Sequence, residues 1–202
     1  MKKAEAIARL DELVGKDLRP LADKFKVTVW KDGKINKGWA GHTIERYLGL
    51  ALNSSRAPNF GSWELKVIPL IHRTKSGLRV KETMAITMID DEEVKAKAFE
   101  DSHLFAKLCK IVVVARVFES KKETSSVVYS VGSFDLDDPK IYRVVKADYD
   151  LVRRTIREKG FHALSGTMGE LVQPRTKGPG HGSTSRAFYA RTAFVAKIVD
   201  LK

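Results

Sequence analysis

Cysteine is almost missing from this chain: Cys109 is the only one, which excludes an internal disulfide and any cysteine-rich metal site. It stands in an apolar stretch, where a buried, inert thiol is expected. Long hydrophobic runs are missing as well. The longest unbroken one is residues 111–115, far short of the roughly 20 residues of a membrane span. The start, Met1-Lys2-Lys3-Ala4-Glu5, is charged rather than a signal-peptide core. The expectation is a soluble cytoplasmic protein, prokaryotic or phage-type, with no membrane partner. Acidic charge is in short supply, with 25 Asp and Glu against 37 Lys and Arg for a net +12. Such an excess draws a chain towards polyanions, nucleic acid first. The bias sharpens at the C-terminal end, where ten Lys and Arg from Arg153 onward face only Glu158, Glu170 and Asp200.

What is present is enough for a core: 43% of the 202 residues are hydrophobic, which suits one large domain or two small lobes. Residues 4–14 carry Ala, Ile, Leu and Val at helical spacing, and a short helix is expected after Asp17, with Pro20 tolerated in its first turn. The turn Lys31-Asp32-Gly33-Lys34 follows. Gly38-Trp39-Ala40-Gly41 leads into an amphipathic helix with Ile44, Leu48 and Leu52 on one face and Glu45 pointing elsewhere. Residues 53–59 read as a polar loop. Residues 63–68 read as a strand placing Glu64 and Lys66 on one face and Leu65 on the other. A turn at Lys75-Ser76-Gly77 makes a hairpin of residues 66–71 and 80–89, and Asp90-Asp91-Glu92-Glu93 starts a helix. The run Ile111-Val112-Val113-Val114 has no alternation, so residues 110–118 are expected to form a central strand covered on both faces, paired with residues 127–134. Residues 149–159 form a basic helix, residues 176–185 a mobile loop, and residues 187–199 a last strand. The softest lobe boundary falls at residues 70–78.

The sharpest local motif is Asn59-Phe60-Gly61-Ser62-Trp63-Glu64-Leu65-Lys66, a Glu-x-Lys on a strand after a loop able to bring another oxygen to the same place. Phosphodiester hydrolysis uses such a set: carboxylates hold Mg²⁺, which polarises the phosphate, while a lysine orients or deprotonates the attacking water. In isolation the same pattern describes an ion pair on an exposed strand. Other histidine and serine patterns carry less. His42, His72, His103, His162 and His181 lack zinc-site spacing, and the neighbours Asp101, Ser102 and His103 cannot assemble a hydrolase triad. Trp39 and Trp63 read as core aromatics.

The Glu-x-Lys does not stand alone. Lys37-Gly38-Trp39-Ala40-Gly41-His42-Thr43-Ile44-Glu45, Asn59-Phe60, Glu64-Leu65-Lys66, Ser102-His103-Leu104-Phe105-Ala106-Lys107-Leu108, Gln173-Pro174-Arg175-Thr176-Lys177 and Arg186-Ala187-Phe188-Tyr189-Ala190-Arg191 occur in one order. In that order and rough spacing, from about Leu13 to Val199, the chain resembles the MutH-type mismatch-repair nicking endonucleases and the related restriction enzymes MvaI and BcnI. The resemblance implies a PD-(D/E)xK nuclease fold: an α/β chain whose mixed sheet is flanked by helices in two lobes around a DNA cleft, cutting with Mg²⁺, for which Mn²⁺ or Ca²⁺ substitutes in binding. It implies that Glu45 is a helix-borne acid, Glu64 the strand acid at the metal, Lys66 the catalytic lysine and Lys107 a second lysine near the phosphate. His42 and His103 fall within its motifs as structural or phosphate contacts. Where the family has its principal metal-binding aspartate this chain has Asn59, or by the other spacing Ala57. Asparagine keeps a carbonyl oxygen but loses the charge, so metal affinity and activity are expected to fall, whether as an Asp-to-Asn change that traps an uncut complex or in a naturally weak relative.

For DNA, the resemblance makes Arg175 and Lys177 recognition-loop bases and Tyr189 the aromatic that senses the target base, within a recognition segment of residues 173–191. Lys37, His181, Arg186 and Arg191 join them as DNA contacts, some to phosphate alone. Thr176 stands where the family has a proline. The expectation is therefore a sequence-specific endonuclease of double-stranded DNA, a monomer forming one nuclease domain over residues 1–202, with type II restriction as the first reading. The alternatives are a repair nickase answering to a MutL-type protein, and a DNA-binding relative that has lost cleavage.

Overall fold

The structure, a computed structural model, describes residues 1–50, 58, 60–73, 77–178 and 184–201. The chain opens with helices α1 (Lys3–Asp11) and α2 (Leu18–Lys24). Asp17 caps α2, its carboxylate accepting from the Arg19 N–H at 3.0 Å, and Pro20 sits in the first turn, where its missing N–H costs nothing. Strands β1 (Trp30–Lys31) and β2 (Lys34–Ile35) make a tight antiparallel hairpin. Asp32 and Gly33 at its tip both have positive φ, 50° and 70°, which two-residue hairpin turns require. Helix α3 (Trp39–Tyr47) follows.

Strand β3 (Glu64–Arg73) leads to β4 (Gly77–Val80) and β5 (Met84–Met88). Helix α4 (Asp91–Ala96) is capped by Asp90 and α5 (His103–Leu108) by Ser102, each side chain satisfying an otherwise unpaired N–H of the first turn. Next come β6 (Lys110–Val117), β7 (Val128–Asp135), the long helix α6 (Pro139–Lys159), β8 (Val172–Thr176), β9 (Arg186–Ala190) and α7 (Thr192–Ile198). One sheet runs β4-β3-β6-β7, with β3 and β6 parallel and the outer pairs antiparallel; a second, antiparallel sheet runs β5-β9-β8.

Strand β6 is central, as its unbroken apolar run implies, and its two faces serve different cores. Val112 and Val114 pack with Leu10, Leu18, Trp39, Ile44 and Trp63 from the N-terminal helices and the start of β3. Ile111, Val113 and Ala115 pack with Leu104, Tyr149, Val152, Phe188 and Phe194 from α5, α6, β9 and α7. Trp39 and Trp63 are fully buried, in keeping with core roles.

The α/β mixed-sheet architecture with flanking helices is as expected, but four local expectations need correction. The hairpin after β3 is short: β4 pairs with Leu70 to Arg73, while β5 leaves for the second sheet and pairs with β9. Helix α6 begins at Pro139, behind the cap Asp138, ten residues before the expected start. The expected strand at residues 187–199 ends at Ala190 and becomes α7, because Phe194, Val195 and Ile198 share a helical face. Cys109 is half-buried, not buried. Leu52, most of the 53–59 loop and residues 179–183 of the expected mobile loop lie outside the described residues.

Candidate active site and nucleic-acid cleft

Because side chains alternate along a strand, Glu64 and Lys66 share one face of β3 while Leu65 and Val67 turn to the N-terminal core. Phe60 stacks on Trp63 with ring centroids 3.9 Å apart, which anchors the chain just before that strand. Glu64 is only 1% exposed. Its Oε1 accepts from Lys66 Nζ at 2.7 Å and from Lys107 Nζ, in the last turn of α5, at 3.1 Å. A carboxylate this deep is stable as an ion only with such partners. The Glu-x-Lys is therefore not an exposed surface pair.

Helix α3 brings Glu45 to the same centre. Burial pushes its carboxyl above the ordinary range; His42 opposes this, the Glu64 charge adds to it and Lys66 opposes it again. Burial pushes the Lys66 ammonium down; Glu64 opposes this, and the positive charges of Lys107 and Lys177 push further down. The electrostatics thus tie together Glu45, Glu64, Lys66, Lys107 and Lys177, five residues spread over more than half the chain. Among the described residues no group of three or more His, Cys, Asp or Glu is arranged to hold a metal ion; Asn59, the expected third oxygen donor, lies outside them.

On its other edge β3 is paired with β4 only from Leu70 onward, and a cavity of about 510 Å³ lies beside the stretch from Lys66 to Pro69. Its far wall is Met84 and Ala85 of β5 with Arg175 and Tyr189 of β8 and β9. Lys66, Arg175 and Tyr189 therefore line one space. Arg175 donates from Nη1 to Thr83 Oγ1 at 2.9 Å, and its guanidinium lies 5.9 Å from the centre of the Tyr189 ring. Burial pushes the Tyr189 phenol up, against the pull of Arg175. Lys177 follows β8, its N–H donating to the Ser185 carbonyl. Arg186 opens β9 opposite Thr176.

Two expected contacts sit elsewhere. Lys37, just before α3, lines a different cavity with Trp30, Lys81 and Lys121. The Arg191 guanidinium donates to the carbonyls of Gly166, Thr167, Met168 and Gly169 at 3.1–3.3 Å, so it ties down the loop before β8. His181 lies outside the described residues. Of the two histidines within the motifs, His103 pairs through Nδ1 with Glu93, an architectural contact between α4 and α5, and His42 stands beside Glu45.

Two residues escaped sequence reading. Thr83 carries no signal of its own. Asp148 does: it falls in the buried stripe Val145, Tyr149, Val152 and Ile156 of α6, where a carboxylate needs a reason. Its two oxygens accept from the N–H groups of Glu170, Leu171 and Val172 at 2.7–2.8 Å, fixing the start of β8.

A mixed sheet whose strand carries a buried Glu-x-Lys, joined by a helix-borne acid and a second lysine beside an Arg- and Tyr-lined cleft, is the arrangement expected of an endodeoxyribonuclease. The family described as "DNA mismatch repair enzyme MutH" matches residues 48–148, half of the chain, and the chain belongs to the MutH family. It is 27% identical to the DNA mismatch repair protein MutH of Shewanella sp. (strain W3-18-1) over 97% of its own length and 93% of that protein's. It is 27% identical to the MutH of Vibrio cholerae serotype O1 (strain M66-2) over 97% and 94%. A solved complex of the restriction endonuclease MvaI with its cognate DNA is similar at a TM-score of 0.39 and 13% identity, covering 98% of this chain and 97% of that one, too loose a likeness to establish a shared function.

Proposed function

We propose that the chain is a Mg²⁺-dependent endonuclease of double-stranded DNA that cuts one strand, in the manner of a MutH-like repair nickase. The observation that carries this reading is the Glu64 carboxylate, sealed from solvent and gripped by Lys66 and Lys107, with Lys66 lining the cleft that displays Arg175 and Tyr189. The site would suit a hard dication: two carboxylates lie close enough for the charge of Glu64 to push Glu45 up, a repulsion that the positive charge of Mg²⁺ would relieve. Glu64 would hold the ion with the side-chain oxygen of Asn59, and Glu45 alongside; Mn²⁺ or Ca²⁺ would substitute for binding. When bound, the ion supplies positive charge at the scissile phosphate and the leaving oxygen.

The protein's own groups do the rest. Lys66 orients the attacking water and, in the neutral amine form that its burial favours, takes its proton to become the ammonium. Lys107 fixes the Glu64 carboxylate. Arg175, Lys177, Arg186, His181 and Tyr189 hold and read the duplex, within the recognition segment of residues 173–191, and Lys37 contacts a phosphate. Arg191 serves DNA indirectly, by anchoring the loop before β8. The working unit is one nuclease domain over residues 1–202, softest at residues 70–78, acting in the cytoplasm as a monomer with a MutL-type protein as partner. Similarity to mismatch repair proteins along nearly the whole chain favours nicking over the type II restriction reading, which shares the same centre but cuts both strands. Supercoiled plasmid with Mg²⁺ tests the choice. Nicked circles, made faster by a MutL-type protein, are expected; linear plasmid as the first product favours restriction. An uncut plasmid with both Mg²⁺ and Mn²⁺ leaves only a DNA-binding relative.

A further inference from the structure

The cavity beside Lys66 does not end at the active site. Pro69 and Glu82 line it, and the same two residues line a second cavity of about 470 Å³. The second is walled by the β1-β2 hairpin on one side and by residues 116–123 on the other, with Trp30, Lys37, Lys81, Phe118 and Lys121 around it. Two acids and four cations line it, but one acid is already neutralised. Glu123 is buried in a two-pronged pair with Arg116, at 2.7 and 3.0 Å, which leaves, among the described lining residues, exposed Lys37, Lys81 and Lys121 against Glu82. The aromatic lining is also held in place. Trp30 is 44% exposed, yet its indole N–H donates to the Lys122 carbonyl at 3.0 Å, and the Lys81 ammonium lies 4.4 Å from the centre of the Phe118 ring.

We infer that this second cavity is a flanking-DNA subsite, which receives the sugar–phosphate backbone of the duplex several nucleotides from the cut, with Lys81 and Lys121 on phosphate and Trp30 against sugar or an end base. The occupant follows from adjacency to the catalytic cleft and from charge: a backbone that leaves the first cavity over Pro69 and Glu82, which line both, meets in the second a surplus of lysine. Aromatic surface interleaved with lysine suits nucleic acid, because sugar and base edges supply apolar area between the phosphates. The inference rests on the proposed DNA-cutting function and adds a footprint to it, extending on the hairpin side of the active site.

Two measurements on the full chain test it. Trp39 and Trp63 are fully buried, so acrylamide quenching of tryptophan fluorescence reports chiefly on Trp30. A saturating random-sequence duplex of about 30 base pairs, added without metal, should protect it from quencher, and Trp30→Phe should remove the protected signal. Replacing both lysines, Lys81→Ala with Lys121→Ala, should lower the slope of log Kd against log salt by about 2, at roughly 0.9 per lost phosphate contact, with the melting temperature unchanged. Parent chain that binds DNA steeply in salt while Trp30 stays quenchable and the double variant keeps its slope overturns the subsite and leaves the nuclease reading intact. Parent chain that does not bind duplex overturns both. Loss of polyglutamate binding in the double variant, with DNA binding unchanged, gives the cavity to an acidic protein and overturns the inference.

Discussion

Asparagine and aspartate have the same shape, so the consequence of Asn59 is electrostatic. If it stands beside Glu64 at the metal, Asn59→Asp restores a charged ligand without steric change and raises Mg²⁺-dependent cleavage by at least about tenfold. Equal rates for the two chains, measured as initial cutting of supercoiled plasmid, would remove residue 59 from the site. Asp17 makes a separable case about stability. Burial pushes its carboxyl up, but N–H donors of Arg19 and Ser126 and the hydroxyl of Ser125 pull harder, and the result lies below the ordinary 3.8. A depressed acid contributes stability that is fully present above its unfolded pKa and is lost as pH falls through the folded one. The chain should therefore lose stability on acidification below about pH 4, and Asp17→Ala should flatten that part of the profile. The same substitution removes the cap of α2 and a tie to the Ser126 N–H at 2.8 Å, costing about 1 kcal/mol near neutral pH. Urea melts at pH 7 and pH 3.5 check both, and parallel loss in parent and variant on acidification would contradict the assignment.

At the scale of elements, strand β8 hangs from α6 by one carboxylate. Asp148→Ala leaves three N–H groups, that of Val172 buried, without their charged acceptor and should destabilise the chain by about 3 kcal/mol, with Asp148→Asn milder because one oxygen remains. Gly169 beside it has φ +76°, and a Cβ there would stand 1.9 Å from the Val172 carbonyl oxygen, so Gly169→Ala should weaken the same attachment. Loss of amide-exchange protection at Val172 before the rest of β8 marks a failed anchor; unchanged protection in both variants contradicts it. This anchor also shows where sequence reading stopped. Strand β6 was legible because Ile111 to Val114 allow no exposed face, and α2, α4 and the β1-β2 turn were legible from Asp17, Asp90 and Gly33. Strand β8 was not, because Gln173, Pro174 and Arg175 have no strand character of their own; their extended course comes from Asp148 at one end and pairing with β9 along the side. Phe194, Val195 and Ile198 were read as strand because so short an apolar run fits either period. For the site, Glu64 and Lys66 share one strand face in the sequence itself, but Lys107 lies 41 residues beyond Lys66, and only the resemblance to a family joins it to them ahead of the structure. Arg191 reads like any other cation of the segment, and its four carbonyl partners appear only once the loop at residues 166–169 is folded against it.

Across the whole molecule, the net +12 and the lysine-rich cleft make DNA binding independent of metal and steep in salt. Several phosphate contacts should give a slope of log Kd against log salt above about +3, whereas a slope near zero removes DNA as the partner. Specificity separates from this background: Arg175→Ala should cost about 1 to 3 kcal/mol on a cognate site and much less on random duplex, while Arg154→Ala weakens both alike. Catalysis should separate in turn from binding, since Glu64 and Lys107 are buried while Arg175 and Lys177 are exposed. The most direct measurement places Lys66→Ala in the Asn59→Asp chain and follows plasmid cutting and duplex affinity on the same samples. Cutting abolished with affinity within about twofold and folding intact is the result predicted for a catalytic lysine. Cutting that survives the loss of Lys66 would contradict the account at its centre.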